Sequence, residues 1–167
     1  MRAPFLALLA ILVIPALAVP PALASEWGHY ENARFGYALD VPPDFTGGGE
    51  ADNGDGQVFT SRDGTQTLRV YGGNILEDDF ELEVGRATEY LDGEGWAISY
   101  QRTTPSWASY SGSKQGFVVY VRSIALCEGT QFATFEYRYP VKAMSAADPV
   151  VERLVRSLKA TEASASC

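Results

Sequence analysis

Apolar side chains recur at every second position in the first structured segment that the sequence predicts, residues 34–41. This alternation is typical of a strand that buries one of its two faces. The inward-facing set is Phe35, Tyr37, Leu39 and Val41. Pro42-Pro43 ends the strand, because proline lacks the backbone N–H that a sheet needs and restricts the residue before it.

Two further strands are predicted to form a hairpin. Residues 57–62 and 65–71 flank Asp63-Gly64, a pair that suits the positive φ angles of a tight turn. The segment before the hairpin, residues 47–56, is rich in glycine and polar side chains. Such a composition favours a loop.

The apolar period becomes helical in residues 78–91, after a predicted connector at residues 72–74. The apolar positions of this helix are Phe80, Val84, Ala87 and Leu91. Asp78 or Asp79 can cap its first turn, and Gly93 can end it. We therefore expect one helix in the middle of the chain.

A second helix is predicted near the end of the chain. Asp148-Pro149 has the order expected of an N-cap followed by the first helical residue. The apolar stripe that follows consists of Val151, Leu154, Val155 and Leu158.

Strand-like patterns occupy most of the chain between the two helices. They lie at residues 96–104, 107–112, 117–127 and 130–139. The connections are short, which favours antiparallel neighbours. The predicted fold class is α+β, with a single antiparallel sheet of about seven strands packed by two helices.

Residues 1–24 have the features of a cleavable signal peptide. Arg2 is followed by an apolar run over residues 5–19, and Ala22-Leu23-Ala24 offers the small residues that signal peptidase requires. The run is short for a membrane span of about 20 residues. Ser25 replaces the cysteine that a lipoprotein would need. We expect residues 25–167 to form one domain that is periplasmic or secreted, without a stable membrane anchor.

The predicted mature chain is acidic. Of the 13 basic residues only Arg2 lies in the signal peptide, which leaves 12 basic and 21 acidic residues. Nucleic acid is therefore a poor partner, because phosphate binding needs clustered lysine and arginine. High solubility or a cationic partner fits this charge better.

The two cysteines, Cys127 and Cys167, both belong to the predicted mature chain. Export places them where disulfides form and persist. A bridge between them would stabilise the fold by about 4 kcal/mol in the chain-entropy model. Two unpaired thiols are the alternative.

Residues with the usual catalytic chemistry are scarce. The sole histidine, His29, lies close to the predicted mature N-terminus, and the G-x-S-x-G motif of hydrolases is missing. Cys127 is followed by Glu128, which would raise the pKa of its thiol rather than activate it. One histidine and two distant cysteines also lack the spacing of zinc ligands. We expect neither an enzyme nor a cofactor.

Calcium is the remaining metal candidate. Asp52 and Asp55 stand in a segment rich in oxygen ligands, Asp52-Asn53-Gly54-Asp55-Gly56. In the register of an EF-hand loop, however, Ala51 and Arg62 occupy positions that need acidic ligands. The dipeptides Asn-Gly and Asp-Gly are also common in turns, so a turn is the simpler interpretation.

Four aromatic side chains form a candidate binding surface. They are Trp96, Tyr100, Trp107 and Tyr110. Alternating aromatic residues commonly pack one face of a sheet, which is the alternative interpretation. If exposed, they would bind a protein or an apolar ligand.

Several short motifs resemble those of small exported bacterial proteins of unassigned function with a PsbP-like fold. The motifs are residues 30–42 (YENARFGYALDVP), Asn53-Gly54-Asp55-Gly56, Ser61-Arg62-Asp63-Gly64, Trp107 with Ser111-Gly112, Tyr139-Pro140, and Asp148 leading to Ser157-Leu158. The resemblance covers most of residues 25–167. It implies the α+β fold of that group.

The PsbP-like group contains extrinsic photosystem subunits, a Ran-binding import factor, an envelope protein associated with phage entry and lipid-binding mycobacterial proteins. Their shared roles are binding and accessory ones. The resemblance therefore implies an exported, non-catalytic binding domain, with an envelope or extracellular protein or a small apolar ligand as partner. A carrier of lipid or another apolar ligand is one alternative. A calcium-binding or metal-dependent protein that uses Asp52–Asp55 is another.

Overall fold

The computed structural model describes residues 26–164 and residue 167. The predicted signal peptide, residues 1–24, lies outside the described residues. The helices are α1 (Phe80–Gly93) and α2 (Met144–Ser157). The strands are β1 (Gly28–Asn32), β2 (Tyr37–Val41), β3 (Phe45–Glu50), β4 (Gly56–Ser61), β5 (Thr67–Asn74), β6 (Ala97–Thr103), β7 (Trp107–Lys114), β8 (Phe117–Leu126), β9 (Gln131–Pro140) and β10 (Lys159–Ala160).

The strands form two antiparallel sheets. A seven-stranded main sheet has the order β3-β4-β5-β9-β8-β7-β6, and a three-stranded small sheet has the order β1-β2-β10. The α+β class with two helices is confirmed, but the prediction of a single sheet is wrong. The first predicted strand, β2, leaves the main sheet to pair with β1 and β10. Alternation could not reveal β1, because its two buried side chains are Tyr30 and the polar Asn32.

The main sheet has seven strands because β3 takes the place that we expected β2 to fill. β3 lies in the segment predicted to be a loop, and five of its six residues are exposed. An exposed edge strand has no buried face and so carries no apolar alternation. Only residues 51–55 remain as the turn into β4, closed by a 2.8 Å hydrogen bond from Ala51 N to Gly56 O.

The predicted hairpin is present as β4 and β5, although its loop is longer than two residues. The loop runs over residues 62–66, and the Asp63 carboxylate accepts hydrogen bonds from Ser61 Oγ and Thr65 N. The connector predicted at residues 72–74 is instead the end of β5. Gly72 and Gly73 belong to this strand.

The first helix follows its sequence pattern and the second begins earlier than expected. Asp79 caps α1, accepting a 2.8 Å hydrogen bond from Leu82 N, and α1 ends at Gly93 as predicted. α2 begins at Met144 rather than after Asp148, so Pro149 lies inside it. The added first turn buries Ala147 in the core. This burial is a tertiary contact that the local proline signal does not report.

Different elements pack on the two faces of the main sheet. The odd-numbered side chains of β9 from Ala133 to Tyr139 join a core with the small sheet and α2. On the other face, α1 packs over β6 and β7. The part of this face formed by β5 and β9 makes few contacts with α1 and borders a cleft.

The C-terminal segment is fastened to the small sheet and to the end of β8. Cys127 and Cys167 lie at disulfide distance, with their Cα atoms 5.3 Å apart, in agreement with the predicted bridge. Thr161 N donates a 2.8 Å hydrogen bond to Gly36 O, next to β10. Within the described residues, no helix is both long enough and apolar enough to span a membrane.

Candidate ligand-binding cleft

A large cleft lies between α1 and the main sheet, and we call it the α1 cleft. Its volume is about 1310 Å³. Residues of β5, β7, β8 and β9 form the floor, and α1 forms one wall. Drug-sized ligands commonly occupy pockets of roughly 300–1,000 Å³, so the cleft has room for a small molecule.

The strand register fixes how the floor is arranged. Residues directly opposite one another on antiparallel strands point to the same face. The central row of the floor, read from β5 to β7, consists of Arg69, Glu136, Val121 and Tyr110. The row on one side consists of Tyr71, Thr134, Ser123 and Ala108, and the row on the other side of Thr67, Arg138, Val119 and Gly112. Neighbouring strands lie about 4.8 Å apart, so groups on adjacent strands of one row can contact the same ligand group, while the ends of a row are separated by about 14 Å at the backbone.

Two arginines of the floor stack on aromatic rings. The Arg69 guanidinium lies 4.6 Å from the centre of the Tyr71 ring, and that of Arg138 lies 5.2 Å from the Trp96 ring. Arg138 also forms an ion pair with Glu136, whose side chain is largely buried. Arg69 forms no ion pair with any described residue. One cationic group of the floor is therefore available to a ligand.

The hydroxyl groups of the floor fall into two kinds. Ser123 and Thr134 are buried and hydrogen-bond each other at 2.8 Å. The hydroxyls of Tyr71 and Tyr110 make no hydrogen bond with another described residue, and both oxygens are accessible from the cleft. Tyr110 is only 2% exposed, and burial raises the pKa of both phenols, with further contributions from Glu136. Both groups are therefore neutral hydrogen-bond donors at ordinary pH.

The α1 wall is held in place by its own polar contacts. Glu83 accepts a 3.0 Å hydrogen bond from Leu76 N and pairs with Arg86, which also pairs with Glu77. The apolar side of α1 packs on the sheet through Phe80, Val84 and Leu91. These contacts leave the wall apolar towards the floor and polar at its rim.

The four aromatic residues of the predicted binding surface do not lie together. Trp96 and Tyr110 line the α1 cleft. Trp107 faces the opposite side of the main sheet, where its ring lies 5.3 Å from the Arg102 guanidinium and 4.2 Å from that of Arg122. Tyr100 is 47% exposed on the edge strand β6. The structure thus brings together two of the four.

The other predicted candidates lie away from the cleft. Asp52 and Asp55 belong to the turn between β3 and β4, where Asp55 accepts a 2.8 Å hydrogen bond from Asn53 Nδ2. Within residues 26–164 and residue 167, no three histidine, cysteine or acidic residues are grouped for a metal ion. His29 is exposed on β1, with Nδ1 3.8 Å from Asp40 Oδ1.

Sequence reasoning missed Arg69, Tyr71 and Glu136 as site residues. A signal was nevertheless present, since Ala133, Phe135, Tyr137 and Tyr139 alternate with Thr134, Glu136 and Arg138 along β9. A strand in the middle of a sheet with one polar face indicates incomplete cover on that face. These β9 residues pair with residues of β5 that lie about 67 positions earlier in the chain. A local sequence pattern does not specify which distant strand pairs with β9.

No protein-family model and no curated protein matches the chain. Its structure is similar to the solution structure of cyanobacterial PsbP (CyanoP) from Synechocystis, with a TM-score of 0.64 at 10% identity, over 87% of this chain and 98% of that chain. It is also similar to the Ran-binding protein Mog1p of Saccharomyces cerevisiae, with a TM-score of 0.61 at 13% identity, over 82% of this chain and 96% of that chain. At these identities the likeness concerns the fold. The chain therefore has a PsbP-like fold.

Proposed function

We propose that the chain is an exported, non-catalytic binding domain and that the α1 cleft is its binding site. The observation that carries the proposal is the floor of the cleft. There, the unpaired Arg69 and the unpartnered hydroxyls of Tyr71 and Tyr110 lie beside aromatic walls. A concave, largely apolar site with a few convergent polar groups is the usual form of a small-molecule site.

The fold and the covalent structure support this proposal. One protein of similar structure, Mog1p, is described as Ran-binding, so this fold can serve a binding role without implying the same partner. The Cys127–Cys167 pair suits an oxidising compartment. The signal peptide predicted at residues 1–24 gives the route by which the chain would reach the periplasm or the medium.

A small apolar or amphiphilic ligand fits the cleft better than a globular protein surface does. Aromatic rings contribute much of the lining, among them Phe80, Trp96, Phe117 and Phe132. They stand in a concave site rather than on a flat exposed patch. The carrier function is therefore the form of the proposal that we favour.

A substitution that fills the cleft tests the proposal. Ala87 faces the cleft from α1, so Ala87→Trp should block it, whereas Leu82→Trp changes an exposed position on the same helix outside the cleft lining. We expect the neutral apolar dye N-phenyl-1-naphthylamine to bind the unchanged chain and Leu82→Trp, and to bind Ala87→Trp at least about tenfold more weakly. Fluorescence titration measures the three affinities.

Equal binding to all three proteins would contradict the use of the cleft. Turnover by the purified chain in a broad hydrolase screen would contradict the non-catalytic part of the proposal. Ala87→Trp is the control for this screen as well. A contaminating enzyme would give the same turnover in the variant as in the unchanged chain, whereas turnover in the cleft would be lost.

A further inference from the structure

We infer that the α1 cleft selects ligands that carry a single anionic group, such as a carboxylate or a sulfonate, on an apolar body. The inference rests on the proposed use of the cleft for binding. It adds the chemical class of the ligand, which the apolar lining alone does not specify.

The charge of the cleft differs from that of the rest of the protein. Five basic side chains line it, Arg69, Arg86, Lys114, Arg138 and Lys142, together with four acidic ones, Glu83, Glu89, Glu94 and Glu136. The remaining described residues hold 7 basic and 17 acidic side chains. The cleft thus carries a small excess of positive charge, while the rest of the described surface is strongly negative. Such a site attracts anions that the surrounding surface repels.

Among the three arginines that line the cleft, Arg69 is the one without an ion pair to a described residue. Glu136 is directly opposite Arg69 on β5, but its carboxylate is paired with Arg138 on its own strand. Arg69 stacks on Tyr71 and makes no ion pair with a described residue. A ligand anion at Arg69 would therefore pair the guanidinium that Glu136 leaves without an ion pair.

One neutral donor stands beside this cation, and a second lies three strands away in the same row. Tyr71 lies under the Arg69 guanidinium, and Tyr110 is in the same cross-strand row as Arg69 and Glu136. Tyr110 is nine-tenths or more buried, lines the cleft and has no hydrogen-bond partner among the described residues. The Tyr110 oxygen stays accessible from the cleft, so it can donate a hydrogen bond to an anionic oxygen of a ligand.

The apolar body of the ligand has a place next to the anionic group. The Phe132 ring meets the Tyr71 ring edge to face, with the ring centres 6.1 Å apart. Trp96 and Phe80 continue the apolar surface towards α1. The polar and apolar halves of the site are thus adjacent, as an amphiphile requires.

Two dyes that differ by one charged group test the inference. The dye 1-anilinonaphthalene-8-sulfonate has the same ring system as N-phenyl-1-naphthylamine and carries one sulfonate in addition. We expect the sulfonate dye to bind about tenfold more tightly, because an additional hydrogen bond between charged groups has an effect of that order. Arg69→Gln should lower its affinity about tenfold and leave that of the neutral dye within about twofold.

Arg62→Gln is the matched control, since it removes the same charge from an exposed arginine that pairs with Asp44 outside the cleft. It should leave both affinities unchanged. The inference is overturned if the neutral dye binds as tightly as the sulfonate dye, or if the two arginine variants have equal effects. In either case, loss of dye binding in Ala87→Trp would still support the α1 cleft as the binding site. If Ala87→Trp weakened the binding of neither dye, that result would instead contradict the proposed function itself.

Discussion

At the scale of single residues, Gly36 and Gly64 have the same backbone conformation in very different surroundings. Their φ angles are +64° and +70°. A Cβ atom at Gly36 would lie 2.3 Å from Ser164 N, whereas one at Gly64 would meet nothing within 4 Å. The first glycine therefore allows the C-terminal segment to pack against the turn before β2, and the second only forms a turn.

Alanine at these two positions separates the cost of conformation from the cost of packing. Gly64→Ala should lower the free energy of unfolding by about 1 kcal/mol, which is the cost of a left-handed conformation. Gly36→Ala should lose a further 1–3 kcal/mol or so, because the displaced Ser164 backbone must move. Chemical denaturation measures both losses. Equal losses would show that the C-terminal segment does not pack as described.

Two buried tyrosines provide a second comparison. Tyr37 Oη donates a 2.9 Å hydrogen bond to Asp55 O, while Tyr110 Oη has no partner among the described residues. Tyr37→Phe should therefore cost about 1 kcal/mol of stability, and Tyr110→Phe less than about 0.5 kcal/mol. Denaturant unfolding of both variants provides the measurement. A loss at Tyr110 as large as that at Tyr37 would mean that its hydroxyl is already satisfied in the free protein.

Residues whose environment is local were predicted more reliably than those whose environment is not. The cap of α1 was narrowed to Asp78 or Asp79, and it is Asp79, because a cap acts within one turn. Gly72 and Gly73 were misread as a connector, since two adjacent glycines commonly mark a loop. A Cβ atom would lie 2.7 Å from Phe35 at Gly72 and 2.8 Å from Phe132 at Gly73. Glycine is required there by aromatic rings from distant parts of the chain.

At the scale of elements, the C-terminal segment is held by a short strand pairing, a hydrogen bond and a disulfide together. β10 has two residues and, among the described strands, pairs with β2 alone. The hydrogen bond from Thr161 N to Gly36 O extends this pairing, and the Cys127–Cys167 bridge joins the segment to the end of β8. Such a short edge strand is not stable alone. The disulfide therefore keeps β10 beside β2.

Removal of the disulfide should destabilise the protein. Cys127→Ser combined with Cys167→Ser opens a loop that spans 40 positions, and we expect a loss of about 2–4 kcal/mol in the free energy of unfolding. Reduction of the unchanged protein should produce the same loss. Hydrogen exchange at Thr161 should also become faster, because β10 loses its anchor. An unchanged unfolding free energy would contradict this role of the bridge.

Strands with a regular apolar pattern in the sequence were predictable, and the others were not. β2 and β9 alternate in sequence and β8 begins with an apolar run, whereas the edge strands β1 and β3 have neither pattern. The start of α2 was misplaced because Pro149 resembles the first residue of a helix, although the helix extends five residues further towards the N-terminus. In each case tertiary burial or sheet pairing decided the boundary.

At the scale of the whole molecule, the main sheet separates a structural face from a binding face. The face under α2 and the small sheet is a continuous apolar core. The face under α1 is covered over β6 and β7 and borders the cleft at β5 and β9. The sequence supported the fold class but did not show that Arg69, Glu136 and Tyr110 share one row, because their alignment depends on the order of the strands in the sheet.

The most direct test of the binding face uses the indole signals of two tryptophans on opposite faces of the main sheet. Trp96 lines the α1 cleft, and Trp107 lies on the other face between two arginines. ¹⁵N-labelled protein is titrated with 1-anilinonaphthalene-8-sulfonate. The indole N–H resonance of Trp96 should shift as dye is added until the site is saturated, while the resonance of Trp107 should not move. A shift of the Trp107 resonance with none at Trp96 would contradict the assignment of the α1 cleft as the binding site.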